Sequence, residues 1–364
     1  MRTDRQNRSL KSFPFYSFRG TYREIGQQYG EECRSLINLH KEYALERLNK
    51  AINVNSKSDL ENAALEYREY VIKYAPYIDE ELQGLAEGAD ISLGEAYFLQ
   101  LRAEIYNYFD TTDECTTFAV APEASKDGSP MSGQNADLPD LYKEVGVVIE
   151  SLPENDPGTL MLTPAGQISY IGINSEGMGV CANFLECAGW RVGFPRYLLS
   201  RLALTKNDIF AAEELVQNAY RASSRNLLMI DKNGHIISLE TVPERIGKVL
   251  PERGILAHAN HFISNELSVE ERKEGEDLKN SQIRYNRMKY LLEKNYGKIE
   301  VDKIKEILRD REQSPHTLCR MPGDFSSSSD VITFASVIAE PTKGNLWVAV
   351  GPPNEYEYKL YTFS

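Results

Sequence analysis

Helical periodicity runs through the first 110 or so residues and stops at Asp113, where short β-rich runs take over. From Tyr22 to about Ile52, apolar residues recur at helical spacing among charged ones: Ile25, Tyr29, Cys33, Leu36, Ile37, Tyr43 and Leu48. Further helices are predicted over about Leu60–Tyr74, over Ile78–Glu87 between Pro76 and Gly88, and in SLGEAYFLQLRAEIYNYF. In that last string Ser92 and Glu95 have the spacing of a capping box. From Thr116 the runs TTFAVAP, VGVVIESL, GTLMLT, GQISYIGI and GMGVCANFL read as strands, with KDGSPMSGQN as a turn and short strand after the first. Two helices are predicted near Pro195–Leu204 and Asp208–Tyr220, then strands RNLLMID and HIISLET joined by a Lys232-Asn233-Gly234 turn. A charged helical stretch covers about Glu270–Asp310, and VITFASVIAE, LWVAVG and YEYKLYTF close the chain as strands. Such an order predicts an α+β protein with two antiparallel sheets packed face to face and helices outside.

The 364 residues suffice for a large core. A net charge of −13 with no basic run disfavours nucleic acid as a partner, since the surface repels phosphate. No stretch approaches ~18 consecutive apolar residues, so no membrane span is predicted. The N-terminus MRTDRQNRSLKSFPFYSF has no apolar signal-peptide run, and YTFS is no peroxisomal address. Five scattered cysteines without zinc-site spacing point to free thiols and a reducing, cytoplasmic setting. The serine run Ser326–Ser329 reads as a loop.

Cys115 stands in DECTTFAV at the change of pattern, opening a strand. Taken alone, it reads as a small buried residue. GQNADL, which holds Asn135 and Asp137, is by itself an ordinary turn, and LAHANHF offers His258, Asn260 and His261 after a strand. The two histidines lack a carboxylate at helical spacing, so no metal site is expected, and nothing calls for a cofactor.

In this order the strings RGTYREIGQQYGEE, APYIDEELQGLAEGADIS, ECTTFAV, GQNAD, INSEGMGVCANFL, GFPRYLLSRLAL, LAHANHF and the final hairpin resemble the penicillin acyltransferase family, the isopenicillin N acyltransferase-like branch of the N-terminal-nucleophile hydrolases. The resemblance covers nearly the whole chain. It implies a four-layer αββα sandwich preceded by a helical segment. It also implies a precursor that cuts itself between Glu114 and Cys115, with residues 1–114 retained as a small subunit beside a catalytic domain of residues 115–364. Cys115 would be the nucleophile, Asn260 an oxyanion donor and Asp137 a partner of the new amine or of the thiol. Thr116 and Asn135 are expected beside the substrate. A free α-amine titrates near ~7.7–8.0, so it can take the thiol's proton without a histidine. The acyl group would pass from a small N-acyl or acyl-thioester substrate to water or an amine.

Two departures stand out. Ala136 replaces the aromatic residue of a Gln-Asn-Trp-Asp motif, and Glu114 replaces a frequent glycine. A late family arginine has no clear counterpart, and Arg320 is left outside the catalytic set. Two other readings stay open: an unprocessed cysteine peptidase with His258 or His261 as base, and a catalytically inactive scaffold of the same fold.

Overall fold

A computed structural model describes residues 8–51, 56–101, 104–105, 114–325 and 329–364. The chain opens on strand β1 (Phe15–Gly20) and continues through helices α1 (Tyr22–Glu32), α2 (Arg34–Ala51), α3 (Lys57–Leu65), α4 (Arg68–Tyr74), α5 (Pro76–Ala89) and α6 (Leu93–Leu101). Strands β2 (Glu114–Val120) and β3 (Met131–Pro139) follow, then a single helical turn, α7 (Tyr142–Val145). Next come β4 (Gly146–Pro153), β5 (Thr159–Pro164), β6 (Ile171–Asn174) and β7 (Gly179–Phe184), and helices α8 (Leu198–Ala203) and α9 (Ile209–Asn218). After β8 (Arg225–Ile230), β9 (Ile236–Thr241), β10 (Ile246–Val249) and β11 (Ile255–His258), the chain forms α10 (Gly275–Lys294) and α11 (Val301–Leu308) and closes on β12 (Val331–Glu340), β13 (Asn345–Val350) and β14 (Lys359–Thr362).

The strands make one sheet in the order β1-β4-β5-β6-β7-β8-β9-β10 and a second in the order β11-β2-β3-β12-β13-β14. Side chains alternate across a strand, and that alternation sorts the core into layers. On β8, Leu227 and Met229 join the helices α1–α6, α8 and α9, whereas Leu228 and Ile230 face the other sheet. On β2, Cys115 and Ala119 face between the sheets, whereas Phe118 and Val120 pack under α10 and α11 with Met288, Leu292 and Ile304. The result is the four-layer αββα sandwich, with the helical N-terminal segment as one outer layer.

That segment also supplies a strand. β1 pairs in parallel with β4 from Phe15 opposite Val148 to Gly20 opposite Pro153, in a region expected to be helical throughout. Thr21 then starts α1 with a full capping box to Glu24. The expected long helix to Ile52 breaks at Cys33 into α1 and α2, and the charged stretch after Glu270 breaks at the left-handed Gly297 between α10 and α11. Ser326–Ser328, and the end of the fourth predicted helix beyond Ile105, lie outside the described residues.

Helices α1 and α5 meet through glycines. A Cβ on Gly26 would lie 1.9 Å from the Glu81 carbonyl oxygen, and one on Gly84 would lie 2.0 Å from that of Arg23. These are backbone atoms of a packed helix and cannot yield. Gly84→Ala is therefore expected to destabilise the fold by about 3 kcal/mol, the upper end for overpacking. Urea unfolding of the variant beside the parent measures it, and an unchanged midpoint would contradict the close contact.

Candidate active site

Cys115 is the second residue of β2, held between β11 and β3. β11 pairs antiparallel to β2 from Ile255 opposite Val120 to His258 opposite Thr117, and two residues further on the chain brings Asn260 level with Cys115. The Cys115 backbone N–H donates to Asn260 Oδ1 at 2.8 Å, and Asn260 Nδ2 donates to the Phe184 carbonyl at 3.0 Å. The next helix completes the frame. Asn280, Ser281 and Arg284 share the buried face of α10. Arg284 Nη2 donates to Asn260 Oδ1 at 2.9 Å, and its Nη1 donates to the Cys115 carbonyl and to Thr116 Oγ1, both at 2.8 Å. From the facing sheet Asn183 Nδ2 donates to the same Cys115 carbonyl at 3.2 Å, and Asn183 Oδ1 accepts from Thr117 Oγ1 and Asn226 Nδ2. The residue is thus fixed at its nitrogen and at its carbonyl.

Its thiol faces the space between the sheets. Sγ lies 3.9 Å from Tyr170 Oη, and Cys115 lines a cavity with Tyr170, Ala182, Phe184, Arg196, Tyr197 and Arg225. The cavity measures about 10 Å³, room for about one water. The buried Arg225 guanidinium stacks on the Tyr197 ring at 4.6 Å, and its Nε has no hydrogen-bond partner.

Glu114, one residue earlier, points to the opposite face. Its Oε2 accepts from Arg320 Nη1 and Asn280 Nδ2, both at 2.7 Å, and lies 3.5 Å from Arg284 Nη2. Burial raises the Glu114 carboxyl, but the charges of Arg284, Arg320 and Lys273 outweigh it and hold the acid below its usual range. Asp137 sits directly across from Glu114 in the β2–β3 register. Its Oδ1 accepts from Thr333 Oγ1 at 2.7 Å, and its buried Oδ2 has no partner. Burial pushes this acid up to about 7, against the pull of Arg284 and Arg320 and the Thr333 hydrogen bond.

The sign of that shift makes a prediction. A folded value above 3.8 means that the fold holds the proton more tightly than the unfolded chain does. Asp137's contribution to stability is complete below about 3.8 and fades as the pH rises to about 7. Asp137→Asn cannot ionise, so it is expected to gain stability relative to its parent across that window. Urea unfolding of both in a Cys115→Ala background, at about pH 4.5 and about pH 7.5, checks it; a difference that does not change with pH would contradict it.

Thr116 and Asn135, expected beside the substrate, share the Glu114 face and not the thiol's. They pair across β2 and β3. Asn135 Nδ2 donates to the carbonyls of Leu308 and Leu318, and its Oδ1 accepts from Ser336, so its side chain ties the sheet to the segments around α11. Neither candidate histidine base has a free choice of partner. His258 Nε2 lies 2.8 Å from Glu240 Oε1 and its Nδ1 2.8 Å from the Ala259 carbonyl. His261 Nδ1 bonds Ser281 Oγ at 2.7 Å, and burial, with the His258 and Arg284 charges, pushes the ring down to about 3, too weak a base for a thiol at neutral pH. Burial pushes the thiols of Cys33, Cys181 and Cys319 up to about 12, which keeps them inert.

Residues 124–355 match the model of the family described as AAT, acyl-coenzyme A:6-aminopenicillanic acid acyl-transferase. The chain belongs to this family. The matched region takes in Asp137, Asn260, Arg284 and Arg320 and starts after Cys115. The chain is also 26% identical over 350 residues to the acyl-coenzyme A:6-aminopenicillanic-acid-acyltransferase 40 kDa form of Emericella nidulans, a match spanning 95% of each protein. Two variants of the conjugated bile acid hydrolase of Clostridium perfringens share its fold. Each has a TM-score of 0.50 at 14% identity and covers 69% of this chain and 97% of its own. The sandwich is thus of the N-terminal-nucleophile hydrolase type, and the penicillin acyltransferase family places the chain among acyltransferases. No helix among the described residues is long and apolar enough to cross a membrane.

Proposed function

We propose that the chain is a self-processing cysteine amidohydrolase or acyltransferase. Cys115 Sγ attacks the Glu114 carbonyl carbon, the C–N bond to Cys115 breaks, and the nitrogen takes up the thiol's proton. Water then hydrolyses the Glu114 thioester, leaving a carboxylate at residue 114 and a free thiol and amine on Cys115. In turnover that amine takes the thiol proton as Sγ attacks an N-acyl or acyl-thioester substrate. The acyl group then passes from Sγ to water or to an amine.

The observation that carries this reading is the 2.8 Å hydrogen bond from the Cys115 nitrogen to Asn260 Oδ1. It holds the one atom that would become the base, and Arg284 polarises the acceptor from behind. Asn260 Nδ2 donates to the carbonyl of Phe184, a residue that lines the thiol's cavity, which supports the oxyanion role. Asp137, across from Glu114, fits a partner for the new ammonium. Retention of residues 1–114 after the cut is supported by the β1–β4 pairing and by the core that α1–α6 share with the larger sheet.

Trapping tests the proposal. The purified protein is incubated with N-acyl amides and acyl thioesters, quenched in acid and digested. An acyl adduct on Cys115 is expected, as the N-terminal residue of its peptide. Label on another residue, or none, would overturn it.

A further inference from the structure

Glu114 is a carboxylate that the fold surrounds with more positive charge than one acid balances. Arg320 and Asn280 reach it at 2.7 Å and Arg284 at 3.5 Å, and all are buried. Lys273 adds its charge from the segment leading into α10; it is 5% exposed, and its buried Nζ has no hydrogen-bond partner. Buried charges are costly unless paired. Without the Glu114 side chain, the two guanidiniums would be left with Asp137 and the ammonium with Glu271, two acids that burial pushes towards the neutral form. A glycine before the nucleophile, as in the sequences this chain resembles, would leave them so.

The attack chemistry links this pocket to turnover. In processing, the acyl group that Sγ accepts is that of Glu114 itself. In turnover, an external acyl group forms the same thioester on the same atom. Glu114 is then a chain end, and an incoming acyl group that displaces it inherits its surroundings. We propose that the Arg284, Arg320, Lys273 and Asn280 pocket, filled by Glu114 in the precursor, takes a carboxylate on the substrate's acyl group, so that the mature enzyme prefers α-glutamyl and N-glutaryl amides to neutral acyl amides of equal length. The inference rests on the nucleophile reading above. Sγ attacks the glutaryl amide carbonyl, a C–S bond forms and the C–N bond breaks. The amine leaves with the thiol's proton, relayed by the Cys115 α-amine. Water then releases glutarate and restores the thiol.

The test compares the N-glutaryl and N-pentanoyl amides of one chromogenic amine on the processed protein. A buried charge-assisted contact predicts a kcat/KM ratio of about 10 to 100 in favour of glutaryl. Lys273→Met is expected to bring that ratio towards one through loss of the glutaryl rate, and Lys273→Arg to keep the preference. Equal rates in the parent, with Cys115 acylated by the pentanoyl compound, would overturn the pocket and leave the nucleophile standing. A preference undiminished in both Lys273→Met and Asn280→Leu would place the carboxylate elsewhere, as at Arg225, and would overturn it too. If neither compound acylates Cys115, the nucleophile reading falls and takes this inference with it.

Discussion

Cys115→Ala is expected to yield one uncut chain with no turnover. Alanine keeps the backbone that Asn260, Arg284 and Asn183 hold, so the fold and the frame around the scissile bond survive. What it removes is the thiol proposed to attack Glu114 and the external carbonyl. Both activities are expected to vanish together, because one thiol serves both. The lost methyl-sized group lines a cavity of about 10 Å³, so the cost in stability should stay near about 1 kcal/mol. Gel mobility under denaturing conditions and an acyl-release assay read the two effects. A cut Cys115→Ala protein would mean that another group breaks the chain.

Asn260→Ala carries the second largest effect. The substitution frees the Cys115 nitrogen, removes the acceptor of Arg284 Nη2 and deletes the donor at Phe184. Turnover is expected to fall by about 10²–10³-fold, the effect of losing one oxyanion donor, or further if the amine also drifts. Orphaned buried donors should cost about 1–3 kcal/mol of stability as well. Single-turnover acylation of Cys115 in the processed variant isolates the chemical step. An unchanged acylation rate would remove Asn260 from the site.

Much of this was legible in the chain. The change from 3.6-residue to two-residue periodicity at Asp113 located the layer boundary and the strand that holds Cys115. Alternation alone placed Thr116 on the other face of β2 from Cys115, a signal the sequence contained. The same conclusion for Asn135 needs the pairing of β2 with β3, which no single sequence states. Arg284 was hidden for a different reason. Helix α10 carries Lys279, Arg284, Arg287, Lys289 and Lys294, and periodicity cannot say which cation is turned inward. Only packing shows that Arg284 is buried at 1% exposure. Arg320 follows no regular element, and its place beside Glu114 is set by the loop before β12. β1 was missed because six residues of FYSFRG gain their strand character from pairing with β4, a partner more than 120 residues away.

An amide nitrogen pinned by Asn260 is what turns this cysteine into a candidate catalyst, and only a broken peptide bond makes that nitrogen a base. Intact-mass spectrometry of the freshly purified, denatured protein tests this most directly. Two chains, residues 1–114 and residues 115–364 with a free N-terminal cysteine, are the expected result. A single 41.3 kDa chain that nevertheless turns over an N-acyl substrate would contradict it.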